Sequence, residues 1–320
     1  MARADFGGQA LLEGVLMRGR GSIGVALRHP DGSIVAPTQQ LNSILHRSRF
    51  ARTPFFRGLV VLYETLVVGT RWLMRSGSVQ AQGEGQELGK GMIAVTLLLT
   101  LGLAIGLFVL LPLFLANTAT EATLGPDQAL FAHLLEGIFR VFIFLGYLLV
   151  VSRSAEIRRV FQYHGAEHMT IHALENEDPL DIEHIRRYPT AHQRCGTEFL
   201  VIFIILSILM FSLLAGQSLV VGIAGRILLI PVIAAIAYEV LRLGARHRHR
   251  WWIRWLFMPG IWLQGITTRQ PDDSMIEVAI ASMREALAAN GEEAPEGSLD
   301  PPRRPLETAG ETAGVAPDQL

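Results

Sequence analysis

Apolar and polar positions fall in long blocks along this chain. Four runs are nearly free of charge: Met92 to Ala116, Ala129 to Val151, Phe199 to Ala215 and Arg226 to Leu243. Uncharged apolar runs near twenty residues long point to membrane spans rather than core helices. The second run carries Glu136 and Arg140 four positions apart, where a helix would let them neutralise each other inside a bundle. Pro231 marks a kink in the fourth. Asn117 to Gln128 and Gly216 to Gly225 read as the short connections between spans.

The blocks outside the spans differ from one another. Gly7 to Gly19 reads as a glycine-punctuated turn entering a strand, and Ser22–Leu27 and Ser33–Pro37 as two strands around His29-Pro30-Asp31-Gly32. No Gly-Lys-Ser/Thr follows these glycines, so they mark tight turns rather than a phosphate loop. The opening residues lack the apolar core of a signal peptide. Residues 1–52 are thus expected to form a small cytosolic β-unit. Thr53 caps and Pro54 opens a helix running to about Arg75, whose apolar surface is broken by Arg57, Glu64, Arg71 and Arg75. Such a helix suits the membrane interface; Ser76 to Gly91 follows as a linker and completes a unit at 53–91.

Spans occupy 92–151 and 199–243, separated by the polar segment 152–198. In 244–289, Trp251, Trp252, Trp255 and Trp262 interleave with arginines, the composition of a headgroup-level anchor. Pro271-Asp272-Asp273-Ser274 caps a helix from Met275 to Ala289 with one apolar stripe. Residues 290–320, rich in Glu, Pro and Gly, are expected to be a disordered tail. The pattern predicts an α-helical integral membrane protein with about four transmembrane helices, a small cytosolic β-unit at the N-terminus, and interfacial and cytosolic helices.

Arginine placement sets the expected orientation. The 152–198 segment and the stretch after the fourth run are rich in arginine, whereas 117–128 and 216–225 contain no basic residue. Both termini and the central segment are therefore expected on the cytoplasmic side. Composition adds little else: a net charge of −1 says nothing about nucleic acid, and no nucleic-acid motif is present. A lone cysteine, Cys195, excludes an intrachain disulfide.

Candidate chemistry centres on His164-Gly165-Ala166-Glu167-His168. On a helix, residues four apart share a face, so His164 and His168 point together, Glu167 joins them and His172 extends the face by a turn. Two such imidazoles can hold a divalent ion, with zinc the leading choice, while the carboxylate serves as general base; H-x-x-E-H is the inverzincin order. His192 and Cys195 form an H-x-x-C pair of further ligand candidates, Cys195 also suiting a small buried apolar role. Glu239 falls 71 positions after His168 inside an apolar run, as either a third ligand or an ion-pair partner of Arg242 or an arginine of the first cytosolic unit. Arg18 or Arg194 could stabilise an oxyanion or bind an anionic headgroup.

Gly7-Gly8-Gln9-Ala10, Glu13-Gly14-Val15, Met17-Arg18-Gly19 and Phe161 to His168 together resemble the YqhQ-like family. His192-x-Arg194-Cys195-Gly196-Thr197, Tyr238-Glu239, Pro259-Gly260, Leu263-Gln264, Thr267-Thr268-Arg269 and Pro271-Asp272-Asp273 extend the resemblance over roughly 6–287. Met169, Gln193 and Glu198 depart from its pattern, which usually has lysine, proline and a small residue there. The resemblance implies a bacterial inner-membrane protein of a family of unknown function labelled as metal-dependent enzymes. Two functional expectations follow: a hydrolase at the cytoplasmic membrane interface, acting on a lipid-linked or membrane-protein substrate, or a non-catalytic scaffold or assembly factor with a structural metal or polar cluster. Without an evident inverted repeat or paired broken helices, a small transporter has little support.

Overall fold

A computed structural model describes residues 6–41, 48–83, 90–123, 129–192, 195–214, 217–247 and 250–304. Strands β1 (Gly7–Leu11) and β2 (Gly14–Arg18) form a hairpin turned at Leu12-Glu13, with Glu13 at φ 52°. The stretch expected to be a turn entering one strand is therefore two strands. Next comes β3 (Ser22–Arg28), whose other edge carries β4 (Ile34–Val35) and β5 (Thr38–Gln40).

Side chains alternate across a strand, and both faces of this sheet are apolar. Val15, Met17 and Ala26 face one core, while Leu16, Ile23, Val25 and Leu27 face the other. The first core is completed by helices α5 (Ala155–Glu175) and α10 (Asp273–Ala289). The second is covered by Val68, Trp72 and Val79 of α1 (Phe56–Gly83). The N-terminal unit is thus the middle layer of a three-layer domain whose outer layers come from distant parts of the chain.

Several boundaries move for tertiary reasons. Helix α1 continues to Gly83 through what composition suggests is linker, because Ser76 Oγ accepts from Leu12 N (3.3 Å) and Gln80 Nε2 donates to Arg28 O (2.8 Å). Its start falls at Phe56 rather than Pro54: Thr53 Oγ1 turns back to Phe50 O at 2.7 Å, and Phe55 adopts φ 69°. Residues 290–304 are ordered, not a tail: β6 (Arg303–Arg304) pairs parallel with β4, and Arg303 reaches Glu285 at 2.6 Å. Positions 305–320 lie outside the described residues.

Among the described residues, three helices are long and apolar enough to cross a membrane. The first joins α2 (Lys90–Ile105) to α3 (Leu111–Thr123) through a π-helical turn at Gly106–Leu110, running past the expected end at Ala116. The second is α4 (Ala129–Val151), as expected. The third is α8 (Leu219–Arg246), which starts before Arg226 and contains Pro231. The remaining expected span, α7 (Gly196–Ser212), is apolar but 17 residues long. Arg140 pairs with Glu136 (2.6 Å), and Arg226 also reaches Glu136 (2.7 Å), so the predicted pair is a buried triad. The Phe211 ring lies 5.1 and 5.7 Å from the two guanidinium carbons.

The other α-helices among the described residues are the single turn α6 (Ile182–Ile185) and α9 (Trp251–Thr267), which leaves Trp251, Trp255 and Trp262 exposed.

Candidate metal centre

Helix α5 carries the site because its two faces have different jobs. Tyr163, Ala166, Met169, Ala173 and Leu174 recur at helical spacing and pack into the core shared with the sheet and α10. His164, His168 and His172, one per turn, meet Cys195, Thr190 and Ala191 instead. Gly165 permits a close approach on the same helix: a Cβ there would stand 2.1 Å from Arg269 O.

His164 Nε2 lies 3.2 Å from Cys195 Sγ, and the His164 and His168 ring centroids are 4.4 Å apart. Donor atoms of His164, His168 and Cys195 all fall within 4.8 Å of one another. Both imidazoles are oriented from behind, His164 Nδ1 at Thr267 O (2.9 Å) and His168 Nδ1 at Thr190 O (2.6 Å). A carbonyl only accepts, so each Nδ1 carries the proton and each Nε2 presents a lone pair toward the centre. Burial, reinforced by the neighbouring His164 ring, lowers the His168 pKa to about 2 and keeps that ring neutral, the form that binds metals.

Glu167 Oε2 stands 4.0 Å from Nε2 of both histidines. The carboxyl is fully enclosed, and burial raises its pKa to about 8; His164 and the Gly8 N–H pull the other way, while Cys195 adds to the rise. Gly8 is suited to this contact, since a Cβ there would meet Leu16 O at 2.6 Å and Glu167 Oε1 at 2.8 Å. The adjoining hairpin turn braces the same helix: Glu13 accepts from Nε and Nη2 of Arg159 (2.5 and 2.6 Å) and from the Tyr163 hydroxyl (3.2 Å).

Cys195 is the N-cap of α7, its sulfur accepting from Thr197 N at 3.5 Å, and burial pushes its thiol pKa up. The preceding loop is clamped by Gln264 of α9. Its Oε1 accepts from His192 N (2.8 Å) and its Nε2 donates to His192 O (3.0 Å). The H-x-x-C pair is split between two groups: Cys195 joins His164 and His168, whereas His192 joins His172 and Glu175.

Residues 53–289 match the family described as "Protein of unknown function (DUF1385)". The chain is also 33% identical over 297 residues, 88% of this chain and 92% of the relative, to "Uncharacterized protein YqhQ" of Bacillus subtilis (strain 168). The chain belongs to the DUF1385 family. No solved structure matches it. The DUF1385 region includes every residue of both donor groups but begins after Gly8 and Glu13, which support α5 from the hairpin.

Within this DUF1385 chain, two expected site residues are engaged elsewhere. Glu239 pairs bidentately with Arg57, through Arg57 Nε at 2.7 Å and a second contact from Nη2, and its Oε1 also accepts from Phe55 N at 3.2 Å. Neither donor group among the described residues includes it, so of its two expected roles the geometry realises the ion pair, with an arginine of α1. Arg18 is held by Glu64 (3.2 Å) and Thr65 (3.0 Å) of α1. Arg194 lies outside the described residues. The sequence reading missed the roles of Gln264, Thr267 and Thr190, two of which sit in the motif Leu263-Gln264…Thr267-Thr268; polar residues at the end of an apolar helix were the available signal.

The donor set fits a transition-metal ion. Two neutral imidazoles and a thiol that becomes thiolate on binding are a borderline-soft set of two nitrogens and one sulfur, which first-row transition metals accept. The carbonyl partners behind the rings are the supporting shell such ligands require.

Proposed function

We propose that this DUF1385 protein is a metal-dependent hydrolase embedded in the bacterial inner membrane, working at the cytoplasmic boundary of the bilayer. One observation carries the reading: two imidazole nitrogens and a sulfur converge while a buried carboxyl stands 4.0 Å from both nitrogens. His164, His168 and Cys195 would hold the cation, which supplies a Lewis acid that polarises a substrate oxygen and acidifies water. Glu167 is the proton acceptor and donor. It stands 4.0 Å from both Nε2 atoms, close enough to take a proton from a water at the cation and return it. Thr267 and Thr190 keep the two rings in one tautomer through the cycle.

Packing supports the membrane placement and four crossings. Sheet, α5 and α10 share one core, so the segments between them have to leave and return to the same side. The α2–α3 helix and α4 make one such round trip. For the second, α7 has to return what α8 crosses, although its 17 residues reach only about 25 Å. Both termini and α5 then lie on one side, which the arginine bias makes the cytoplasm.

A substrate bearing an anionic headgroup is supported by a cavity of about 560 Å³ where α4 gives way to α5. Arg153, Arg158 and Arg269 line it with Ser152 and Leu149, and among the described residues no carboxylate does. None of the three metal donors lines it, but Arg269 lies two residues beyond Thr267, the partner of His164. A lipid-linked phosphate is the group that three guanidiniums would recognise.

The test is turnover of a total bacterial lipid extract by detergent-purified protein, wild type beside Glu167→Gln, with products read by mass spectrometry. Hydrolysis by the wild type, reduced on the order of 100-fold or more in the variant, supports the reading. Equal product from both proteins, or none from either, overturns it. The deep burial of His168 and Cys195 favours the second reading, a non-catalytic scaffold with a structural ion.

A further inference from the structure

The three histidines of α5 do not all serve one centre. His172, one turn beyond His168, faces a different set of partners: its ring lies 4.5 Å from that of His192, and His192 Nε2 lies 3.3 Å from Glu175 Oε2. The donor atoms of His172, Glu175 and His192 fall within 4.8 Å of one another. None of these residues belongs to the first group.

We infer that this second group is a separate binding site for a divalent transition-metal cation, with two imidazoles and one carboxylate as ligands. The orientation of His172 is built in. Its Nε2 lies 2.9 Å from Ala191 O, which sets the ring's orientation, and Tyr188 stacks on the ring at 5.8 Å with planes 6° apart. A backbone carbonyl behind the imidazole is also the pattern seen at His164 and His168. His192 is fixed through its backbone by the two-way clamp of Gln264. A plain histidine–carboxylate hydrogen bond would need neither the third donor nor a ring held at this angle.

The two sites have different chemistry and are not a bridged pair. The first, with His168 and Cys195 buried and His164 half-buried, offers two nitrogens and a sulfur; the second offers two nitrogens and an oxygen, with Glu175 at the exposed end of the helix. Two imidazoles and a carboxylate accept Fe(II), Mn(II), Co(II) or Zn(II) and leave coordination positions open. Equivalent ligands on α5 are one turn apart, about 5.4 Å, and no donor is shared. Bridged two-metal centres hold their ions about 3.5–4 Å apart. The second site therefore accepts its ion independently, from the solvent-facing end of the helix. It stands whether or not the first site is hydrolytic.

Co(II) titration of the chelator-stripped, detergent-purified full chain tests this. A thiolate-to-cobalt charge-transfer band reports the first site, and equilibrium dialysis counts total metal. The expected result is two equivalents in the wild type. Glu175→Gln and His172→Ala should each lose one equivalent and keep the thiolate band. Cys195→Ser should lose the band and retain one equivalent. Glu175 is exposed at a helix end, so its variant keeps the test valid should His172→Ala misfold. A wild type whose single equivalent shows the thiolate band, or wild-type metal content surviving in Glu175→Gln, overturns the second site. A single equivalent without that band, lost in Glu175→Gln, would count against the first site and leave this one standing.

Discussion

At the scale of single residues, Glu167 and His168 have opposite responses to burial, and their linkage to folding has opposite signs. Glu167 moves from 4.5 up to about 8, so the folded state holds its proton more tightly, and stability falls as pH rises through that interval. His168 moves from 6.5 down to about 2; its contribution is present above 6.5 and is lost as pH falls below it. Between pH 6.5 and 8 only the Glu167 effect of this pair operates. Metal-free protein should lose stability over that range by at most about 1.4 kcal/mol per pH unit, and Glu167→Gln should abolish the slope; chemical denaturation at a series of pH values reads this. A slope unchanged in the variant would contradict the assignment. Gly8→Ala should force a Cβ against Leu16 O and Glu167 Oε1, costing about 1–3 kcal/mol and weakening metal retention, measured by melting and metal content together.

At the scale of elements, the site depends on helices that clamp other segments. Gln264 of α9 holds the loop that delivers His192 and Cys195, so Gln264→Ala should loosen both donor groups at once. Orienting partners of this kind are worth about 10–100-fold in metal affinity, a loss that competition with a chromophoric chelator would show. Helix α1 is a bracket: its later turns cover the sheet through Val68, Trp72 and Val79, while Arg57 near its start holds Glu239 of α8. Glu239→Gln should therefore lower the melting temperature yet leave metal content unchanged, and loss of metal would reinstate Glu239 as a ligand. Hydropathy could not separate these roles, because a carboxylate in an apolar helix looks the same whether its partner is a metal or an arginine 182 positions away. The histidine face was legible because it is local, repeating every turn. The division of His192 and Cys195 was not, since it depends on how the loop lies across α5.

At the scale of the whole molecule, segments distant in sequence form one three-layer domain beside a set of apolar helices. Apolar blocks were readable from charge alone, whereas the ordered residues 290–304 were not. Their order comes from β6 joining β4 and from Arg304 reaching Ser33 at 3.0 Å, partners that composition does not reveal. The same packing fixes an expectation for topology. In a Cys195→Ser background, single cysteines at His29, His184 and Glu296 should react from one side of the membrane and one at Gln217 from the other, tested with an impermeant thiol reagent on intact cells and inverted vesicles. His29 and Glu296 labelling from opposite sides would break the shared domain.

The central claim is that His164 and His168, with Cys195, hold a metal ion beside a carboxyl that is not itself a ligand. Metal analysis of the detergent-purified protein, wild type beside His164→Ala and Glu167→Gln, tests it most directly. The account predicts that Glu167→Gln keeps the wild-type metal content and that His164→Ala loses one equivalent. Wild-type content in His164→Ala, or no metal in any of the three, would contradict it.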